Sequence, residues 1–113
     1  MATIPIDEIL QFRDQRNWKQ FHNPKDLAIS LSLEASELLE LFQWSKEDLV
    51  VSNKKDQMAK ELADIFIYAT QFADAIGVDI TTIIKEKLKE NKEKYKVEDA
   101  WGNAKKYTEL DKS

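Results

Sequence analysis

The sequence predicts an all-α chain, on three observations. Only two glycines and two prolines occur in 113 residues, too few to supply the turns of a sandwich or barrel. No segment alternates apolar and polar residues with a sustained period of two. Hydrophobic residues make up 42% of the chain and fall in long, uninterrupted stretches at helical spacing. The length is that of one small domain covering residues 1–113.

The first predicted helix covers residues 6–16, with Ile6, Ile9 and Leu10 on its apolar face and Phe12 on the opposite flank. Arg13 falls on the apolar side, either as a snorkelling base or facing an acidic residue. A loop reading NWKQFHNP follows. Asn23 before Pro24 gives an N-cap and a residue suited to the first turn, so the second helix runs from about 24 to 43. Residues 45–53 are polar, interrupted by Leu49, Val50 and Val51, and form a connection in which Asn53 caps the third helix. That helix carries MAKELADIFIYATQFADAIG, apolar over a broad arc, with Gly77 as its stop. Asp79 caps a fourth helix through Tyr95, whose stripe is Ile80, Ile84, Leu88 and Tyr95. From about residue 96 the chain reads as a loosely ordered tail. The run KEKLKENKEK mixes its charges and reads as a solvated helix face.

Composition excludes several classes. A net charge of −4 and a pI near 5.1 argue against a nucleic-acid surface, which needs a basic footprint. With no cysteine there is no disulfide, thiolate metal site or cysteine nucleophile. The start, MATIPIDEIL, lacks a basic segment followed by an apolar run, and no apolar stretch reaches the roughly 18 residues of a membrane span. A cytoplasmic protein is the expectation.

The second helix sets charge where burial is expected. At about 100° per residue, Leu27, Leu31, Leu38 and Leu41 all fall within about 60° of Glu34, with Glu37 on the flank. In the third helix Ile65, Tyr68 and Phe72 fall within about 40° of Glu61, with Asp64 about 60° to one side. Two neighbouring helices thus each offer carboxylates at i and i+3. Packed antiparallel, four carboxylates would converge and repel unless cations or bases lie between them. Oxygen-only donors select hard metals, magnesium first and manganese as a substitute. The other reading is a set of structural carboxylates paired with lysines. A ferritin-like di-iron site fits poorly, because the single histidine, His22, lies in a loop.

E-A-S-E at 34–37 and E-L-A-D at 61–64 resemble the metal-binding signature of the MazG-like nucleotide pyrophosphohydrolases. NWKQFHNPKDLA, SLEASELLELFQW, KELADIFIYA and KLKENKEKY resemble the small single-domain dCTP pyrophosphatase branch, in order, across most of residues 12–95. Leu33 stands where MazG itself has a further Glu, as in that branch, and Lys96 follows KY where many relatives have proline. The resemblance implies a four-helix bundle completed by homo-oligomerisation, as a homodimer or a dimer of dimers. The third helix, apolar on nearly all sides, also needs more cover than one short chain supplies. The implied activity is magnesium-dependent hydrolysis of a nucleoside triphosphate, dCTP or a modified dCTP, to the monophosphate and pyrophosphate.

On that resemblance Glu34, Glu37, Glu61 and Asp64 are the metal ligands and catalytic carboxylates, or three are ligands and the fourth is chiefly the general base. Lys87, Asn91 and Lys94, at i, i+4 and i+7 of the fourth helix, either bind phosphate and sugar or are two snorkelling lysines and a register-fixing amide. Trp18, His22, Trp44 and Tyr68 are core aromatics and a loop histidine, or the wall of a base pocket. The family resemblance favours the pocket. The rival from another class is a helical oligomeric interaction module with no catalysis.

Overall fold

The computed structural model describes residues 3–44 and 52–102. These hold five α-helices and no strand: α1 (Ile6–Gln15), α2 (Pro24–Glu40), α3 (Lys55–Ala75), α4 (Ile80–Lys94) and α5 (Val97–Ala100). Single 3-10 turns occur at Lys19–Phe21 and Ser52–Lys54. The chain divides into two compact units, Met1–Val78 and Asp79–Ser113.

In the first unit α2 and α3 form the principal packed pair, and α1 rests on α3. Asn23 caps α2 as expected: its side chain accepts from the Asp26 N–H at 2.8 Å, while its own amide donates to the Asp26 carboxylate at 2.7 Å. The helix ends at Glu40 rather than 43. Phe42 and Gln43 donate to carbonyls three residues back, which tightens the last turn, and Lys54 Nζ donates to the Leu41 carbonyl at 2.7 Å. That bond joins the end of α2 to the start of α3 and fixes the pair as antiparallel. Glu34 lies seven residues before Leu41 and Glu61 seven after Lys54, so the bond brings the two carboxylates level.

Asn53 does not cap α3. It sits within the 3-10 turn, and Lys54 takes the cap position without a side-chain bond. The far end is as expected. Gly77 adopts φ +75°, its N–H donates to the Asp74 carbonyl, and Val78 donates to that of Ala73. This is the Schellman pattern, which requires the left-handed conformation glycine adopts freely. Leu27 at 1% exposure and Ala73 at 4% form the apolar centre of this unit. Thr70 joins them because its hydroxyl donates to the Phe66 carbonyl at 2.8 Å.

Arg13 is buried at 3% exposure and does not snorkel. It donates to Asp74 at 2.7 Å and pairs with Asp14 at 2.8 Å, a charge neutralised twice over. In the second unit Asp79 caps α4 by accepting from the Thr82 N–H and hydroxyl. The single turn of α5 was not expected from the sequence. Residues 45–51, with the expected connection, and 103–113, with most of the expected tail, lie outside the described residues. No described helix is long and apolar enough to cross a membrane.

Candidate active site

The carboxylates of Glu34 from α2 and of Glu61 and Asp64 from α3 each bring one oxygen within 4.8 Å of the others. Glu37, one turn along α2 from Glu34, is solvent-exposed and outside that triplet. Its carboxylate nevertheless approaches both glutamates. Burial, followed by hydrogen-bonding contact with Glu37 and Glu61, pushes the Glu34 carboxyl up to about 7. Contact with Glu37, followed by burial, raises that of Glu61. Glu34 and Glu61 therefore take up and release protons as a pair rather than independently.

This cluster fits a divalent cation. Glu34 Oε2 and Glu61 Oε2 are buried without a hydrogen-bond partner. Buried carboxylate oxygens are ordinarily paired, protonated or coordinated, and an all-oxygen donor set is what magnesium and manganese take. Glu34, Glu61 and Asp64 would hold the ion.

Asp64 also lines the neighbouring cavity, of about 190 Å³, together with Trp18, His22, Tyr68, Phe12, Ile67 and Gln71. Phe12 and Trp18 meet edge to face with centroids 5.7 Å apart. The Arg16 guanidinium lies 3.8 Å from the Phe12 ring centre and 6.0 Å from that of Trp18. His22 is held below the ordinary imidazole range by burial and by the charge of Arg13, so the neutral ring is favoured. Its Nδ1 is buried and unpartnered, as is Gln71 Oε1. A carboxylate cluster therefore opens on a small aromatic chamber, with Asp64 belonging to both.

Residues 29–110 match the MazG-like family. The chain belongs to that family. Among characterised relatives it is 33% identical over 105 residues to dCTP pyrophosphatase 1 of Rattus norvegicus, and 34% identical over 105 residues to that of Bos taurus. Each alignment covers 88% of this chain but 62% of the relative, so the chain spans less than two thirds of their length. A crystal structure of a pyrophosphatase from Archaeoglobus fulgidus superposes with a TM-score of 0.73 at 36% identity, covering 80% of this chain and 88% of that one.

Within this MazG-like chain the expected residues fall into three groups. Glu34, Glu61 and Asp64 come together with Glu37 at their edge, and Trp18, His22 and Tyr68 share the cavity. Trp44 stands apart at 92% exposure, with φ +65° in the turn after α2, beside residues outside the description. Lys87, Asn91 and Lys94 lie on α4 in the second unit, where both lysines pair with Glu90, at 3.3 and 2.9 Å. Gln71 and Phe12 were not singled out as site residues. Gln71 had a legible signal: it continues the i, i+4, i+7 line of Asp64 and Tyr68 down α3.

Proposed function

We propose that this chain is a divalent-metal-dependent nucleotide pyrophosphohydrolase acting on a deoxycytidine triphosphate or a cytosine-modified analogue. The observation that carries the reading is the convergence of Glu34, Glu61 and Asp64 within 4.8 Å in a MazG-like chain, beside an aromatic cavity. Relatives named dCTP pyrophosphatase 1, at 33–34% identity, support the cytosine preference.

In this reading Glu34, Glu61 and Asp64 hold magnesium, with manganese as a substitute. When bound, the ion supplies charge neutralisation for phosphate oxygens and polarises the α-phosphoryl group. Glu37, in contact with Glu34 and Glu61 at the edge of the cluster, either completes the ligand set or takes the proton of the attacking water and passes it to solvent. Water adds to the α-phosphorus, the bond to the bridging oxygen breaks, and monophosphate and pyrophosphate leave. Trp18, His22 and Tyr68 enclose the base, and Trp44 is assigned to the same end on the resemblance alone. The assignment of Lys87, Asn91 and Lys94 to phosphate and sugar likewise rests on the resemblance.

We infer that the working protein is a homodimer or a dimer of dimers. Leu33 (58% exposed), Leu39 (71%), Leu62 (48%) and Phe66 (44%) leave large apolar side chains on α2 and α3 in contact with water. An apolar groove of about 510 Å³ between the start of α1 and Ala63, Phe66 and Ile67 adds to that surface. Light scattering on the purified protein tests this: a monomer at micromolar concentration refutes it.

Incubation with a nucleotide panel in magnesium, followed by chromatography of products, tests the activity. The expected products are dCMP and pyrophosphate. Diphosphate with orthophosphate refutes attack at the α-phosphorus. Equal rates on all bases leave the hydrolase standing and remove the cytosine preference.

A further inference from the structure

We propose that Gln71 selects the base: its side-chain Oε1 accepts the exocyclic amino group of an aminopyrimidine ring. The inference rests on the nucleotide reading of the site and names the residue that would give it specificity.

Gln71 is only 3% exposed, and its Oε1 is buried with no hydrogen-bond partner. Such an acceptor is costly unless something donates to it. Thr70, its equally buried neighbour, satisfies its hydroxyl on the Phe66 carbonyl. Gln71 has no such bond and faces the cavity instead. Along α3, Asp64, Tyr68 and Gln71 follow at i, i+4 and i+7, which places the amide about 10 Å of helix axis from the carboxylate that closes the other end. A nucleotide with its phosphates at the carboxylates would carry its base towards that amide.

Two features narrow the ligand. The cavity, at about 190 Å³, lies below the usual range of small-molecule pockets and has room for a base rather than a whole nucleotide. Phe12 and Trp18, perpendicular at 81°, give it apolar walls, so selection falls on the polar side chains that line it. An unpaired acceptor there favours an amino group. A keto oxygen in the same place meets a lone pair unless the amide turns over to present its Nε2, so the orientation observed favours the amino group.

The test is calorimetric titration of the full chain with dCMP and dTMP in magnesium, for wild type, Gln71→Met and Gln71→Asn. Wild type is expected to bind dCMP more tightly. Gln71→Met, similar in length and shape, should weaken dCMP about 10-fold or more and leave dTMP bound as tightly as before or more tightly, because the opposed oxygen is gone. Gln71→Asn, which withdraws the amide by one methylene, should lose the same preference. Melting of metal-free Gln71→Met should occur at or above the wild-type temperature, because an unpaired buried oxygen has been removed. An unchanged dCMP/dTMP ratio in Gln71→Met, a wild type that binds neither nucleotide, or a melting point lowered by several degrees overturns the proposal. The hydrolase reading fails separately. If wild type binds dCMP through Gln71 yet releases no pyrophosphate from dCTP, the selector stands and the reaction does not.

Discussion

Between pH 5 and 8 the metal-free protein should lose thermal stability, with Glu34 as the chief cause. Its carboxyl is raised from 4.5 to about 7 by burial first and then by Glu37, Glu61 and Asp64. In the unfolded chain the proton leaves near 4.5; in the folded chain it stays until about 7. The folded state therefore binds more protons across that window, so stability is fully present below it and declines as pH rises through it. At about 1.4 kcal/mol per pK unit the full gap gives about 3 kcal/mol, and solvent contact at a partly exposed site reduces this to on the order of 1–2 kcal/mol. That corresponds to a melting shift of several degrees. Glu61 is displaced the same way and adds to it.

His22 opposes the trend, because its lowered pKa makes stability rise towards its ordinary value of 6.5. Melting curves in chelator for wild type and Glu34→Gln separate the two, since the histidine is common to both. Wild type should fall by several degrees between pH 5 and 8, and the variant by much less. Saturating magnesium should reverse the wild-type slope, because the ion requires ionised carboxylates and its binding adds RT ln(1 + [L]/Kd) to the folded state. Equal pH slopes in wild type and variant would refute the assignment of the shifted proton to Glu34.

Three further outcomes are expected. Glu61→Gln should abolish hydrolysis while leaving the metal-free protein as stable as wild type or more so, because one of several clustered charges is gone; wild-type turnover in magnesium would exclude Glu61 from the site. Asp74→Ala should destabilise by about 3 kcal/mol in denaturant titration, since it leaves the buried Arg13 guanidinium with Asp14 alone, and a change below about 1 kcal/mol would show that Asp14 suffices. Gly77→Ala should cost about 1–2 kcal/mol from the left-handed backbone alone, because an added Cβ meets nothing within 4 Å; a neutral result would mean the turn relaxes.

The helices were legible where local chemistry ends them. Asn23, Asp79 and Gly77 punctuate the chain with bonds spanning three to five residues, so a one-dimensional reading finds them. Helical period alone also put Glu34 and Glu61 on packed faces, and the structure brings them together with Asp64. What the sequence left open or missed has a different origin. Arg13 finds Asp74 across 61 residues of sequence, and nothing local announces that pairing. Asn53 has the right chemistry for a cap but is taken up by a 3-10 turn one residue too early. The four residues of α5 are too few for a period to show.

The same local reading passed over the strongest physical mark of the site, which is dissatisfaction. Among the described residues, the buried side-chain atoms without a partner are His22 Nδ1, Glu34 Oε2, Glu61 Oε2 and Gln71 Oε1. Buried polar atoms left unpaired oppose folding, and a chain selected for stability alone would replace them with apolar groups. Two belong to the carboxylate cluster and two line the cavity that shares Asp64 with it. Elsewhere in the first unit comparable groups are paired: Arg13 with two aspartates, Thr70 with a carbonyl, Asn23 with its helix. Unpaired groups confined to one face of α3 and the elements beside it are what a site looks like when its partners come from outside the chain. Ligand binding should therefore stabilise the protein more than the contact area alone implies, because it completes hydrogen bonds and coordination that folding leaves open.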